Sequence, residues 1–300
     1  MSVIVHNTAG GGGKSSVIID GTEFKGTLEL SASTTPTKSV STLPYEFYYD
    51  SAVVYNDEIH ILGDYSGESL NSHYKWNGSS WTSVSTLPYL FYKGSAVVYD
   101  NEIHILGSYS NTKMHYKWNG SSWTSISEIP YEFYNGSAVV YDNEIHILGG
   151  SKSTTKHYKR TSSAWTSIST LPSSFYLGSA VIYNNGIHIL GGGDNEGRKH
   201  YIWDKSSWSN AMTFGFIYDF CLGAAVVYDN KIHRLGGSGN RTAHCTWDGS
   251  STSWDEEIDA LPYEFYSGSA VVYDNTIHIL GDTNFPTNHY SLEQEILIKG

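Results

Sequence analysis

Twelve of the thirteen histidines fall into two regular sets, and imidazole is the side chain in this sequence best suited to acid–base or metal chemistry. The first set is His60, His104, His146, His188, His233 and His278, and the second is His73, His115, His157, His200, His244 and His289. One member of each set occurs in every repeat, so two imidazoles are close enough in principle to share a metal ion. A repeat offers no obvious third or fourth ligand, however. We therefore interpret the pairs as buried, hydrogen-bonded imidazoles, with metal binding as the alternative.

The sixfold recurrence itself argues against catalysis by these groups. An active site is one asymmetric constellation, whereas these residues occupy six equivalent places. The nucleophile-elbow, zinc-protease and paired C-x-x-C motifs are absent from the sequence. We therefore predict no catalytic residue, no metal site and no cofactor.

Short apolar segments carry the two histidine sets. SAVVY or a close variant begins at six positions, followed each time by IHIL or a variant, a loop, an HY pair in most repeats and a Trp-containing segment. The six starts are Ser51, Ser95, Ser137, Ser179, Ala224 and Ser269. Four alternating segments in a period of about 42 to 45 residues indicate the four-stranded blades of a β-propeller. The fold class predicted is all-β, with six blades.

These repeats resemble the Kelch family, in which an apolar strand ending in Gly-Gly precedes an aromatic residue and a Trp. Gly149 and Gly150 with Tyr158 and Trp165 show the pattern in one repeat. The resemblance extends over residues 35 to 292 and implies a six-bladed propeller. One departure is systematic, since His replaces the aromatic residue that Kelch repeats usually carry in the second strand.

The last repeat lacks its outer strand, and the missing segment occurs at the other end of the chain. Residues 35–44 contain TKSVSTLP with no repeat in front of them. We therefore predict that they complete blade six and remove an open sheet edge. The predicted domains are an attachment or hinge segment at 1–34 and the propeller at 35–300.

The glycine run in the first segment, with Lys14 and Ser15, invites comparison with a phosphate-binding loop. The leading glycine of that motif would fall at Thr8, and strand-like VIID follows where a helix must start. A hinge is the preferred interpretation.

Composition restricts the partners further. Eighteen basic residues against 30 acidic ones give a formal charge of −12, which opposes binding to nucleic acid. The start of the chain lacks the features of a secretory signal peptide, and no apolar run reaches membrane-spanning length, so we expect no membrane partner. Cys221 and Cys245 replace Tyr of other repeats and are expected to be free thiols.

The two faces of the predicted disc differ in sequence. Turns between strands one and two repeat almost unchanged, whereas the loops between strands two and three vary in length and charge beside a girdle of aromatic residues. Variable loops on a rigid scaffold are where binding specificity usually lies. The predicted ligand-binding face comprises Tyr48, Tyr92, Tyr134, Tyr176, Tyr266, Glu46, Glu132, Glu264, Tyr109, Asp194, Glu196, Arg198, Arg241 and Phe285. The Phe residues of this girdle are expected to pack between blades; they are Phe47, Phe91, Phe133, Phe175, Phe220 and Phe265.

Three functions are compatible with these patterns. The first is a non-enzymatic recognition or structural propeller, because the Gly-hinged N-terminal segment resembles the attachment ends of bacteriophage tail and baseplate proteins. That resemblance implies a virion tail component, present in the host cytoplasm before assembly, which joins other tail proteins through residues 1–34 and binds a bacterial surface glycan or protein. The second is a sugar mutarotase-like enzyme of the Kelch type, with Asp194, Glu196, Arg198 and Arg241 as its candidate residues. The third is an intracellular adaptor that binds a peptide.

Overall fold

The computed structural model describes residues 37–63, 71–151, 154–161, 163–193, 199–213, 220–251, 253–255 and 260–292, together with three short strands near the start of the chain. These strands are β1 (Val3–His6), β2 (Ser16–Ile19) and β3 (Thr22–Lys25), paired in that order as an antiparallel sheet. Residues 37–292 form a separate compact unit. The glycine run lies outside the described residues, but β2 begins where a phosphate-binding loop would require a helix. In the described part of the chain no helix could span a membrane.

Residues 37–292 form the predicted six-bladed β-propeller of antiparallel sheets. After β4 (Thr37–Thr42), the strands are β5 (Ser51–Tyr55), β6 (Glu58–Leu62), β7 (Ser72–Trp76) and β8 (Trp81–Thr86) in blade one; β9 (Ser95–Tyr99), β10 (Glu102–Leu106), β11 (His115–Trp118) and β12 (Trp123–Ser125) in blade two; β13 (Ser137–Tyr141), β14 (Glu144–Leu148), β15 (Lys156–Arg160) and β16 (Trp165–Thr170) in blade three; β17 (Ser179–Tyr183), β18 (Gly186–Leu190), β19 (Lys199–Trp203) and β20 (Trp208–Thr213) in blade four; β21 (Ala224–Tyr228), β22 (Lys231–Leu235) and β23 (His244–Trp247) in blade five; and β24 (Ser269–Tyr273), β25 (Thr276–Leu280) and β26 (Asn288–Leu292) in blade six.

Blade five departs from the four-stranded pattern within the described residues. It has three strands, and a single bridge between Thr246 and Asp255 lies where the outer strand of the other blades pairs. Residues 256–259, which follow this bridge, are outside the described part of the chain.

The ring closes as the sequence predicts. Strand β4 pairs with β26, with Thr42 opposite Asn288 and Thr37 opposite Leu292. The pairing contains a register shift between His289 and Tyr290, and the same irregularity occurs between the outer strands of blades one, three and four. Because β4 reproduces this feature, it is a true fourth strand of blade six.

Six buried Phe side chains separate the blades, as expected for the girdle. All are at most 1% exposed: Phe47, Phe91, Phe133, Phe175, Phe220 and Phe265. Each core cluster joins residues of two neighbouring blades; Phe91, for example, packs with Leu62 of blade one and Ile105 of blade two. The glycine that ends strand two approaches the next blade so closely that a Cβ at Gly149 would overlap the carbonyl oxygen of Phe175. The core therefore lies at the seams between blades.

The face that carries the turns between strands one and two is uniform. Each turn consists of two Asn or Asp residues with positive φ, as at Asp142 and Asn143, which is the type I′ geometry that tight hairpins favour. Tyr141 donates a hydrogen bond from its hydroxyl to the Asn185 carbonyl oxygen of the next blade at 2.6 Å, and Tyr183 does the same to Asn230 at 2.8 Å. This face is therefore built from repeated inter-blade contacts.

Candidate functional site

The two histidines of each blade bond to each other. Nδ1 of the first imidazole and Nε2 of the second share a hydrogen bond of 2.7 to 2.9 Å in all six blades. All twelve side chains are buried. Burial lowers the pKa of ten of them from 6.5 to between about 2 and about 4. The predicted burial and hydrogen bonding are confirmed, and the ten imidazoles with a lowered pKa are neutral at neutral pH.

The central pore opens on the opposite, variable face through a closed ring of backbone hydrogen bonds. The ring runs through the residue that lies two positions before strand one in each blade: Tyr49, Lys93, Asn135, Leu177, Leu222 and Ser267. Each N–H donates to the carbonyl oxygen of the equivalent residue in the preceding blade, at 2.6 to 2.7 Å. We call these six residues the pore-mouth ring. Because one hydrogen bond links every neighbouring pair of blades, the ring fixes six backbone positions around one axis.

Side-chain identity changes from blade to blade at the pore-mouth ring, although the backbone does not. Blades one to three contribute a phenol, an ammonium group and an amide, from Tyr49, Lys93 and Asn135. Leu177 and Leu222 are apolar, and the hydroxyl oxygen of Ser267 is inaccessible to solvent. One half of the mouth is therefore polar and the other half is mostly apolar.

All six residues of the pore-mouth ring have φ between 55° and 70°, the left-handed region in which glycine is least strained. A side chain other than Asn or Asp in this region costs of order 1 to 3 kcal/mol unless other contacts compensate. Backbone geometry alone would therefore favour glycine at these places. The presence of six side chains instead points to a role for the side chains themselves.

The pore-mouth ring surrounds a pocket of about 130 Å³. Five small residues also line it, Gly94, Gly136, Gly178, Gly223 and Gly268, and blade one has Asp50 at the equivalent place. Asp50 and Lys93 are thus the charged residues that line the pocket, and both carboxylate oxygens of Asp50 are inaccessible to solvent. Its volume is close to the roughly 150 Å³ of a cavity that holds a single six-membered ring, and well below the roughly 300 Å³ or more of a site for a drug-sized molecule. The mouth is sized for one ring-like group of a larger ligand.

An aromatic belt flanks the polar half of the mouth. Lys93 Nζ lies 4.7 Å from the ring centroid of Tyr49 and 5.6 Å from that of Tyr109, a cation–π arrangement. Tyr109 contacts Tyr92 at 5.5 Å and Tyr134 at 5.4 Å, and Tyr48 contacts Tyr49 at 5.9 Å. Burial lowers the pKa of Lys93. Four of the predicted binding residues thus lie in one continuous aromatic surface beside the pore.

The other predicted residues divide into three groups. Tyr176 is half-buried beside Leu177, while Glu46 and Glu132 are exposed. A second, polar pocket of about 360 Å³ contains Arg241 and Glu264, which form an ion pair at 3.2 Å. Arg241 lies over the Tyr266 ring at 4.6 Å, and Phe285 is exposed with its ring 5.5 Å from that of Tyr263. Asp194, Glu196 and Arg198 lie outside the described residues.

The mutarotase-like alternative required arginine and acidic groups near the pore. Among its described candidates, Arg241 does not line the pore-mouth pocket and is paired with Glu264 instead. The charged residues that do line the pocket are Lys93 and Asp50. Among the described residues, three or more metal-ligating side chains do not cluster at any one place.

The sequence-based prediction missed the pore-mouth ring and Asp50. A signal for them does exist in the sequence. The residue two places before each SAVVY segment differs in almost every repeat, whereas the residue that follows it is Gly in five of the six repeats. Only the closed ring shows that these six variable places meet.

Sequence comparison finds no family model that matches this chain and no curated protein that matches it. A solved structure described as "Structure of YjhT" superposes with a TM-score of 0.71 at 13% sequence identity, covering 83% of this chain and 94% of that one. At this identity the similarity shows the fold alone. It supports the six-bladed propeller assignment.

Proposed function

We propose that this protein is a non-enzymatic recognition propeller of the Kelch type, which binds one terminal sugar of a bacterial surface glycan at its pore mouth. The observation that supports this most strongly is the contrast between the two faces. The pore-mouth ring holds six positions in one backbone conformation, yet it presents five residue types. The opposite face repeats Asn and Asp turns in every blade.

The chemistry of the mouth favours a sugar as the bound group. A pyranose has hydroxyl groups around its edge and apolar C–H faces, and so it needs both polar and apolar partners. Tyr49, Lys93 and Asn135 supply hydrogen-bonding groups on one side, whereas Leu177 and Leu222 supply apolar surface on the other. The aromatic belt from Tyr48 to Tyr134 extends the site outward and offers flat surface for a second sugar unit.

We further propose that the chain is a virion tail component that displays the propeller towards the host surface. The separate three-stranded sheet near the start of the chain supports an attachment role for residues 1–34, since it belongs to a different compact unit from the propeller. Binding of the full chain to tail particles, compared with a chain that starts at residue 37, tests this role. Equal binding of both chains would contradict it.

Binding of purified protein to bacterial surface glycans and whole cells tests the proposed ligand. We expect saturable binding that a single free sugar matching the terminal unit inhibits, because the pocket admits one ring. Lys93→Asn should weaken binding at least tenfold, since it removes the only ammonium group among the described residues that line the mouth. The matched control is Lys75→Asn, which removes the same charge from a partly buried pair with Glu58 away from the pore mouth. Equal loss in both variants, or conversion of sugar anomers by the protein, would contradict the proposal.

A further inference from the structure

Three of the six seams between blades share a partly buried hydrogen-bond arrangement. A Trp indole of one blade donates to a serine hydroxyl on the outer strand of the preceding blade, and that hydroxyl also bonds to the second histidine of its own blade. Ser85 joins Trp123 at 3.1 Å and His73 Nδ1 at 3.0 Å. Equivalent contacts involve Ser41 between blades six and one, and Ser169 between blades three and four.

The seam between blades two and three differs from these three seams in two ways. Strand β12 ends at Ser125, and Ser127, which corresponds to Ser85 in sequence, makes no hydrogen bond with His115 Nδ1 or Trp165 Nε1. In addition, Arg160 replaces the Trp that occupies this place in neighbouring blades, such as Trp118 or Trp203. A guanidinium group is smaller than an indole, and both changes therefore remove atoms from the same seam.

Three nitrogen atoms at this seam have no hydrogen-bond partner among the described residues. They are Arg160 Nε, Trp165 Nε1 and His115 Nδ1, and all three atoms are inaccessible to solvent. Arg160 lies directly opposite Trp165 in the sheet, and the His115 ring centroid is 5.7 Å from that of Trp165. His115 Nε2 shares a hydrogen bond with His104, so a proton on His115 Nδ1 would make all three atoms donors.

Arg160 also brings a positive charge into this seam. The residue is 8% exposed, and in the described part of the chain no carboxylate lies within ion-pairing distance of it. Burying a cation without a counter-charge is costly. A water molecule would satisfy hydrogen bonds here but would leave the charge uncompensated.

We propose that a monovalent halide ion, chloride under ordinary conditions, binds between blades two and three to Arg160, Trp165 and His115. A small anion accepts from all three donors and neutralises the guanidinium charge. It takes the place that the hydroxyl of Ser41, Ser85 or Ser169 holds at three other seams. The site is structural and separate from the pore mouth.

A crystal structure of the protein grown in sodium bromide tests the proposal directly. We expect an anomalous difference peak within about 3.5 Å of the three nitrogen atoms. A peak at this place that shows no anomalous signal in bromide would identify a water molecule and overturn the proposal, as would an empty seam.

Thermal melting gives an independent test in solution. Replacing gluconate by chloride at constant ionic strength should raise the Tm of the natural protein by a few degrees, because a ligand that binds only the folded state stabilises it. Arg160→Trp, which restores the residue of the neighbouring blades, should abolish this shift. Trp165→Phe should reduce it, and provides a second readout if the first variant fails to fold.

The matched control is Trp208→Phe, which removes the equivalent indole donor at the seam that contains Ser169. This variant should keep the full chloride response of the natural protein. A chloride shift of unchanged size in Arg160→Trp, or its loss in Trp208→Phe, would overturn the proposal.

Discussion

At the scale of single residues, the pore-mouth ring combines an unfavourable backbone conformation with side chains that differ between blades. Leu177 and Leu222 illustrate the point, since a branched apolar residue gains nothing from a left-handed conformation. The six residues are held by backbone hydrogen bonds, which any residue except proline can make. Stability of the ring and identity of its side chains are therefore separable.

This separation predicts the effect of Leu222→Gly. Glycine relieves the strain at φ 60° but makes the unfolded chain more flexible, so we expect the stability to change by less than about 1 kcal/mol. Glycan binding should weaken roughly tenfold or more, because a buried Leu contact is worth about 1.5 to 3 kcal/mol. Calorimetry and cell-binding titrations measure the two effects.

Asn101→Gly is the control for this prediction, since Asn101 also has positive φ but lies on the opposite face. It should change neither the Tm nor the binding appreciably. Retained binding in Leu222→Gly together with lost binding in Asn101→Gly would show that the functional face had been assigned the wrong way round.

At the scale of the strands, the blades are held at a fixed separation by a glycine that faces a phenylalanine. Gly149 ends the second strand of blade three and leaves room only for the backbone of Phe175 in blade four. Tyr131 donates from its hydroxyl to the Gly149 carbonyl oxygen at 3.1 Å, which fixes the strand end from the other side. The spacing between sheets thus depends on the absence of one side chain in each blade.

The glycine contact predicts a large cost for Gly149→Ala. The added methyl group would overlap a backbone carbonyl, which cannot move aside as a flexible side chain can, and φ is 62°. We expect a loss of about 3 kcal/mol or more, measured by denaturant unfolding.

Gly120→Ala separates the clash from the backbone strain. Its φ is also positive, at 96°, but the nearest atom to a new Cβ is the Tyr55 hydroxyl at 3.5 Å, an ordinary contact distance. This variant should lose only about 1 to 2 kcal/mol. Equal losses in the two variants would refute the proposed packing constraint.

At the scale of the whole molecule, the propeller depends on ring closure and on many buried neutral imidazoles. The innermost strands of neighbouring blades contact each other around the full ring, including blades six and one. The final blade is completed by β4, from the opposite end of the propeller sequence. Every blade is therefore packed between two neighbours.

Ring closure predicts different outcomes for two truncations. A chain that starts at residue 37 keeps β4 and should melt cooperatively near the temperature of the full chain. A chain that starts at residue 43 lacks β4 and exposes the edge of β26, so it should aggregate or lose cooperative melting. Light scattering and calorimetry distinguish these results. A soluble, cooperative second chain with an unchanged Tm would refute the role of β4.

The buried histidines predict a loss of stability in mild acid. Ten folded-state pKa values lie between about 2 and about 4, below the 6.5 of the unfolded chain. The contribution of these neutral imidazoles to the free energy of unfolding is fully present above pH 6.5. It decreases as the pH falls below that value, because the unfolded chain takes up protons first.

Each such histidine lowers the free energy of unfolding by up to about 1.4 kcal/mol for every pH unit below 6.5. The summed loss for ten histidines therefore reaches the typical domain stability of about 5 to 15 kcal/mol within one to two pH units. The Tm should therefore fall steeply between about pH 6.5 and pH 5. A flat melting profile across this range would contradict the assignment of neutral buried imidazoles.

The sequence by itself determined the repeat, the number of blades, the strand that closes the ring and the pairing of the histidines. Each of these follows from a local pattern, since alternating residues and a fixed period specify strands and their order. The missing outer strand of the last repeat and the additional strand at Thr37 could both be identified directly from the amino-acid sequence. The burial of Phe133 and its equivalents followed from the same regularity.

The tertiary structure alone decided which residues meet at the pore and which donors are left without a partner at one seam. Tyr49 and Ser267 are distant in the chain, yet their backbones are joined by a 2.7 Å hydrogen bond because the ring closes. Arg160 and His115 belong to different repeats, and their proximity depends on how two twisted sheets pack. The sequence period shows which residues of different repeats are equivalent, but it does not show which residues of neighbouring repeats are in contact. Those contacts depend on the geometry of the closed ring, and both candidate sites lie where neighbouring repeats meet.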